Sequence, residues 1–331
     1  MITFIQMPSV PFDWMVQRPQ QIMTKLARHG YKVYYFDSKG TGGVKQRESN
    51  LNIVGGSYNI EDIKGEGTVV LWCSSPNQVV NVDKIYHDYI VYDVVDDASD
   101  EFISWKPYIN KMLGRADIVF TSADRLHEKF KTLHPKVYLL NNAVDLDNFS
   151  LNKIEKPKDL PGFKPIVGYV GAVASWIDWQ LIDYITKGSR YNFVFIGPFY
   201  NGFKPKLIRS NIYYLGIKNY NELPYYINNF DCCIIPFKVN EMTNSCNPVK
   251  LYEYFSLGKP VITTNMREIH KFAQLCHIAN DAKEFRGYID KAVNEKSSEL
   301  RNRRIITASE NSWDSRVNAI KKILYEEFNI S

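Results

Sequence analysis

Residues 247–261, NPVKLYEYFSLGKPV, set the frame for the rest of this chain. Asn247 is a residue type that caps helix starts, and Pro248 suits a first helical position, where a missing N–H costs nothing. Gly258 stops a helix and Pro260 cannot continue one. A helix is therefore expected over 247–257, with a strand following at 260–263. The start of such a helix offers unpaired backbone N–H groups at the positive end of its dipole, a ready site for an anion such as a diphosphate. The residues just before it, Met242-Thr243-Asn244-Ser245-Cys246, are mostly small and polar, so their backbone can approach a phosphate closely. Lys250 and Glu253 lie three apart and share one helix face. A carboxylate one turn in could accept both hydroxyls of a ribose; the same pair could also be a solvated ion pair on an ordinary capped helix.

Outward from this helix the same alternation fills the chain. Short β-rich runs at 166–170, 192–196, 211–215 and 232–236 alternate with helical patterns at 178–187 and 221–229. Further helical patterns follow at 282–294 and 313–328, the last with Val317, Ile320, Ile323 and Leu324 at helical spacing. The first half repeats the pattern, with strands expected at 2–7, 32–37, 68–73, 90–95, 117–121 and 136–140 and helices at 20–28, 100–113 and 123–131. Strand, helix, strand in succession predicts an α/β protein with parallel sheets covered on both faces. Runs such as 69–72 and 118–120 are apolar throughout, as burial on both faces requires. Residues 150–165 hold three prolines, four lysines and a glycine and have the composition of a linker. The expected division is a domain at 1–150, a linker at 151–164, a second domain at 165–310 and a last helix at 311–331. Two doubly wound domains facing each other would turn the carboxyl ends of their strands into one central cleft.

Composition agrees with this division. At roughly 150 residues per domain, 331 residues make about two domains. Hydrophobic residues at 45% and charged residues at 23% exclude a disordered chain, a coiled coil and a collagen-like repeat. A net charge of +5 lacks the clustered excess of a nucleic-acid binder and suits phosphorylated small molecules. The five cysteines form no CxxC pair, which points to a reducing, cytoplasmic compartment and away from a disulfide framework or zinc site. No HExxH occurs, so no protein-bound metal is expected, and no GxGxxG follows a strand, which argues against a nicotinamide dehydrogenase. The start, MITFIQMPSVPFDW, lacks a basic stretch leading into a long apolar one and is not read as a signal peptide. No apolar run is long enough to span a bilayer.

The pattern PxKxxEYxxxGKPVI at 248–262 resembles the GT-B glycosyltransferases of the large group-1 class. Other segments share the likeness. LNNAVDLDNF at 140–149 is similar to the exit from that class's first domain, and VGYVGAV at 167–173 with Trp176 and Asp178 to the opening of its donor domain. FIGP at 195–198, Leu215-Gly216 and Ser312-Trp313 match later landmarks. Trp14, the run Arg18-Pro19-Gln20-Gln21 and YDVVDD at 92–97 are similar to a bacterial subgroup that builds cell-wall and capsule polymers, including teichuronic acid. The resemblance implies two Rossmann-like domains, with acceptor binding in the first and a nucleotide-diphosphate sugar, UDP- or GDP-linked, in the second. The reaction implied is transfer of the sugar to a hydroxyl of a glycan or lipid-linked acceptor. Neither metal nor other cofactor is needed, and peripheral association with the inner membrane face is implied by the subgroup's usual acceptors. Two departures stand out. Ser245 occupies the position of a frequent glutamate, and Pro8-Ser9-Val10-Pro11-Phe12 replaces the usual glycine pair after the first strand.

The candidate residues follow from both lines of reasoning. Glu253 is the expected ribose anchor, with Ser245, Asn247 and Pro248 at the helix tip, and Lys250 is favoured over Lys204, Lys206 and Lys238 for neutralising the diphosphate. Gly171 either lets a phosphate approach or makes a tight β–α turn; Gly197 ends a later strand of the same domain. Trp176 either stacks on a sugar or packs, and Asp178 either meets the donor or caps the next helix. Ile217 and Lys218 fall where the class reads the nucleotide base. Asp96 and Asp97 end a central strand of the first domain, where one is a candidate general base or both are turn and cap residues. Trp14 and Arg18 are candidates for the acceptor; Arg18 could hold a phosphate bidentately or form an ion pair that anchors its helix. Two other activities remain compatible with this frame: a sugar-nucleotide 2-epimerase, for which no histidine stands at a motif position, and a catalytically silent scaffold that binds nucleotide sugars.

Overall fold

The computed structural model describes residues 2–330 except 38, 41, 57–62, 64–66, 151 and 153. The chain forms two compact units, one made of Met1–Asn142, Ser245–Asn247 and Trp313–Ser331, the other of Ala143–Asn244 and Pro248–Ser312. Part of the 151–164 stretch thus lies outside the described residues, and the rest belongs to the second unit.

In the first unit, β1 (Ile2–Gln6), α1 (Arg18–Arg28), β2 (Lys32–Asp37), β3 (Gly43–Glu48), β4 (Leu51–Gly55), β5 (Thr68–Cys73) and β6 (Tyr89–Val94) are followed by α2 (Lys106–Leu113), β7 (Ile118–Thr121), α3 (Asp124–Phe130) and β8 (Val137–Leu139). Among the described residues these strands make one sheet in the order β3-β4-β2-β1-β5-β6-β7-β8. All neighbours are parallel except the edge pair β3–β4. The all-apolar strands β5 and β7 sit inside the sheet and are buried on both faces. One face packs Ile5, Leu71, Tyr92, Val119 and Phe130 into a common core; on the other, Trp72 stacks on Phe120 with centroids 5.5 Å apart. The β3–β4 hairpin has no counterpart in the sequence expectation. Its outer strand, GVKQRE, is polar and largely exposed, so neither alternation nor an apolar run announces it.

The second unit contains β9 (Ile166–Val170), α4 (Trp179–Thr186), β10 (Asn192–Ile196), β11 (Ile212–Gly216), α5 (Leu223–Asn228), β12 (Cys232–Ile235), α6 (Glu241–Asn244), α7 (Val249–Ser256), β13 (Val261–Thr264), β14 (His277–Ala279), α8 (Ala282–Val293) and α9 (Ser298–Glu310). Its strands run β11-β10-β9-β12-β13-β14, parallel throughout. Numbered within the unit this is 3-2-1-4-5-6, the doubly wound Rossmann order, whose direction reverses between its first and fourth strands, here β9 and β12. The last helix, α10 (Trp313–Phe328), groups with the first unit. It buries Trp313, Val317, Ile320 and Leu324, and Lys25 on α1 pairs with Asp314 at 2.9 Å.

Candidate functional site

The chemistry of the second unit gathers where its strand order reverses. After β9 the chain turns at Gly171, with φ +140, and after β10 at Gly197, with φ +143. The Gly171 N–H donates to the Ile196 carbonyl at 2.8 Å, and the Gly197 N–H to the Gly216 carbonyl at 2.9 Å. These turns touch, since a Cβ on Gly197 would fall 2.0 Å from the Gly171 carbonyl oxygen. A Cβ on Gly171 would lie 3.0 Å from Cε of Lys250, so the lysine rests directly against this glycine. The sequence assigned Gly171 two roles; the close lysine is compatible with both.

Helix α7 carries Lys250 and Glu253 to this point. It is anchored by Tyr254, whose hydroxyl accepts from the Val170 N–H at 2.8 Å. The Lys250 ammonium lies 4.7 Å from the Phe237 ring centroid and 5.5 Å from that of Tyr169, a cation held over two aromatic faces. Glu253 is 7% exposed. Burial pushes its carboxyl up to about 7, with Lys250 drawing it down and the negative Asp145 raising it further. Among the described residues no group donates a hydrogen bond to that carboxyl. Asp145 escaped the sequence reading because it lies within the 140–149 segment, which was recognised only as a domain exit.

The start of α7 differs from expectation. Pro248 is the cap residue and the helix begins at Val249, without a side-chain cap. Asn247 does not cap, because its side-chain oxygen is claimed elsewhere: it accepts the Asn142 N–H at 3.0 Å. Ser245 and Asn247 are both buried at 1% exposure. Of the other donor candidates, Asp178 caps α4, accepting from the Gln180 and Leu181 N–H groups at 3.1 and 2.9 Å, the second of its two readings. Trp176 packs on Tyr200 with centroids 5.1 Å apart. Ile217 is exposed. Lys218 pairs with Asp159 at 2.6 Å, and Asp159 also accepts from the Tyr226 hydroxyl at 2.8 Å. Lys218 is thereby used to pin the 151–164 stretch, in which Asp159 lies.

In the first unit, Arg18 makes an ion pair rather than an open phosphate fork. Its Nε and Nη2 donate to Asp93 at 2.7–3.0 Å, and its Nη1 to the Leu140 carbonyl at 2.7 Å and the Asn142 side-chain oxygen at 3.1 Å. Trp72 Nε1 donates to Asp93 as well, at 3.3 Å. Arg18 is 3% exposed and Asp93 fully buried. The signal for Asp93 was a single charge inside the otherwise apolar β6. Beyond the end of β6, Asp97 is buried and pairs with Lys129 at 2.8 Å, which fastens α3. Asp96 is half-buried; burial and then the Asp97 charge push its carboxyl up to about 6, with Arg18 opposing. The structure thus separates two neighbouring carboxylates that looked alike in sequence. Trp14 is half-buried, its N–H donating to the Pro11 carbonyl at 3.3 Å. Among the described residues no group of three His, Cys, Asp or Glu could hold a metal ion, and no described helix is long and apolar enough to cross a membrane.

Two doubly wound sheets, the second in strict Rossmann order, give the chain the GT-B fold. No family model matches it. It is 30% identical over 172 residues to a protein of Bacillus subtilis (strain 168) provisionally named as the teichuronic acid biosynthesis glycosyltransferase TuaH. That match covers 49% of this chain and spans 43% of the relative's length. Among solved structures, sucrose-phosphate synthase from Thermosynechococcus elongatus is similar with a TM-score of 0.75 at 12% identity, covering 100% of both chains. HepE from Anabaena, solved in complex with UDP and glucose, is similar with a TM-score of 0.71 at 12% identity, covering 98% of both chains.

Proposed function

We propose that the chain is a glycosyltransferase that moves a sugar from a nucleotide-diphosphate donor, UDP- or GDP-linked, to a hydroxyl acceptor. One observation carries the reading: a buried carboxyl that no donor meets among the described residues, Glu253, stands one turn from a lysine on the first turn of α7, at the strand-order reversal of a Rossmann sheet. Vicinal ribose hydroxyls would supply the missing donors to Glu253. The N–H groups at the start of α7 and the Lys250 ammonium suit the diphosphate, whose charge grows as the glycosidic bond breaks. Gly171 leaves backbone room beside Lys250 for a phosphate. The complex of HepE with UDP and glucose supports this class of donor.

The likeness to TuaH, named for teichuronic acid biosynthesis, supports a glycan acceptor in bacterial surface polysaccharide synthesis; a lipid-linked acceptor met from the cytoplasm at the inner membrane face is part of the same proposal. In this reading the first unit takes the acceptor. Asp96, with its carboxyl raised toward neutrality, suits a general base better than Asp97, which is tied to Lys129. Trp14 remains the acceptor-contact candidate, while Arg18 acts through the fold. No metal is required, since helix dipole and lysine supply the positive potential.

The test is incubation of the protein with UDP- and GDP-sugars and a lipid-linked acceptor, with nucleoside diphosphate release and glycosylated acceptor both followed. Release coupled to acceptor modification is the expected result. Binding without turnover for every donor and acceptor would instead favour the silent scaffold, and an epimerised free sugar nucleotide the epimerase.

A further inference from the structure

Lys250 is half-buried on the first turn of α7, and two aromatic rings of the second unit lie against its ammonium. The Phe237 centroid is 4.7 Å away and the Tyr169 centroid 5.5 Å, both inside the roughly 6 Å reach of a cation over a ring face. Among the described residues no group donates to the Glu253 carboxyl one turn on, so the lysine is turned to the rings rather than to that carboxylate. The fold explains why the rings meet. Tyr169 lies in β9 and Phe237 just past the end of β12, the two strands between which the order reverses. The rings are buried and cross at 69°, with centroids 6.4 Å apart. Each is fixed by other contacts. Phe237 bridges to Ile177 through its backbone, and its carbonyl accepts the Thr264 hydroxyl at 2.7 Å. The Tyr169 hydroxyl donates to the Ala172 carbonyl at 2.8 Å, just past the Gly171 turn. A Cβ on Gly171 would fall 3.0 Å from Lys250 Cε and 3.2 Å from the Tyr169 hydroxyl, so turn, ring and lysine form one contact.

A carboxylate in place of these rings would also fix the lysine, but it would cancel its charge. A ring face fixes a cation through its quadrupole and leaves the charge uncancelled, more strongly where water is excluded. A lysine ordered in this way also loses less rotamer freedom when an anion arrives. We infer that Phe237 and Tyr169 form an aromatic cradle that holds Lys250 ordered and charged against the Gly171 turn, and that both are positioning residues for the diphosphate of the sugar nucleotide. This rests on the donor reading above. The ligand group is a phosphoryl oxygen, and the rings act on it through the lysine.

A double-mutant cycle on nucleotide affinity tests this, with Phe237→Leu, which keeps apolar bulk but removes the ring, Lys250→Met, and the two combined. Calorimetry would measure UDP, UDP-glucose, GDP and GDP-mannose with each protein, circular dichroism verifying the fold. For the nucleotide that wild type binds, Phe237→Leu is expected to weaken affinity about 5- to 30-fold. Lys250→Met should weaken it further. Because the ring acts through the lysine, adding Phe237→Leu to Lys250→Met should change affinity by less than about twofold. Losses that multiply in the double variant would overturn the inference, since the ring would then act without the lysine. Unchanged affinity in folded Phe237→Leu or folded Lys250→Met would overturn it too, while leaving the ribose contact of the donor reading intact. Wild type that binds no nucleotide overturns the donor reading, and the inference with it. Tyr169→Phe, which keeps the ring and loses the hydroxyl, is the reference for Tyr169→Leu. The further loss between those two should be smaller than for Phe237→Leu and should vanish in the Lys250→Met background; a loss that persists there removes Tyr169 from the cradle. Should Phe237→Leu not fold, Phe237→Met, a flexible filler of the same space, takes its place in the cycle.

Discussion

Asp93 in the first unit and Glu253 in the second are both buried carboxyl groups, and they are treated in opposite ways. Asp93 receives the Arg18 guanidinium and the Trp72 indole N–H, so its charge is matched inside the fold. Glu253 has Lys250 near enough to be felt but, among the described residues, no donor on its oxygens, and burial raises its carboxyl to about 7. A matched buried charge is a structural element. An unmatched one is a standing cost that a ligand can remove. The contrast separates the two groups by chemistry: Asp93 organises the chain, and Glu253 carries a cost that the proposed ribose contact would remove.

The sharpest way to break the contrast is to unmatch Asp93's partner. Asp93→Ala leaves the Arg18 guanidinium buried without its counter-ion, which typically costs about 3–5 kcal/mol. Urea unfolding should show a loss of that size; a loss below about 1 kcal/mol would mean the pair behaves as a solvated one.

Glu253→Gln should act in the other direction on stability. A carboxyl raised from its ordinary value to about 7 in the fold stabilises the ligand-free protein below about pH 4.5. That contribution is lost as pH rises through 7. The span is on the order of 3 kcal/mol. With Gln there, this part of the pH dependence should vanish and stability at pH 8 should rise, read from melting curves across pH 5–8. Nucleotide affinity should fall at least tenfold, because hydrogen bonds from ribose to a charged oxygen are worth about 1.5–3 kcal/mol. A Gln variant that is less stable at pH 8 and binds nucleotide as wild type does would place Glu253 with Asp93.

The glycine turns rank next. Gly197→Ala puts a methyl 2.0 Å from the backbone oxygen of Gly171, which cannot move without breaking the β9–β10 register, at a φ of +143. Gly171→Ala shares the unfavourable φ, but its methyl meets the flexible Lys250 side chain at 3.0 Å. Backbone strain alone costs about 1–3 kcal/mol at each. Gly197→Ala should therefore destabilise more in thermal unfolding, while Gly171→Ala should show the larger ratio of lost nucleotide affinity to lost stability. Equal effects on both measures would remove the claim that Lys250 and Gly171 form one binding surface.

The architecture was legible where burial acts on both faces of a strand. Runs such as 68–73 and 32–37 declare themselves by their apolar content and occur as strands at those bounds. Elements that bury little left no such trace: β3 is polar, and α9 buries only Arg304 and Ala308. In the site, the spacing of Lys250 and Glu253 was readable because one helical turn joins them. The partners of Arg18 and Asn247 were not, because Asp93 lies 75 residues from Arg18 and Asn142 lies 105 from Asn247, and no local pattern encodes such pairs. This is also why α7 begins only at Val249: the Asn142 N–H takes the side-chain oxygen of Asn247 that would have capped an earlier start.

Asp178 offers the smallest and cleanest probe of the comparison. It is a carboxylate in the loop after β9, beside the proposed donor site in sequence, yet one of its oxygens, Oδ1, is taken by two N–H groups at the start of α4. If employment inside the fold is what distinguishes structural from functional carboxylates, Asp178 belongs with Asp93 despite its address. Asp178→Ala should cost about 1 kcal/mol, the usual value of a lost cap, and leave nucleotide affinity unchanged. Asp178→Asn, which keeps a capping oxygen, should recover most of that stability. A strong loss of nucleotide binding in a stably folded Asp178→Asn protein would show that the charge itself reaches the ligand, and that a satisfied hydrogen-bond shell does not by itself mark a residue as structural in this fold.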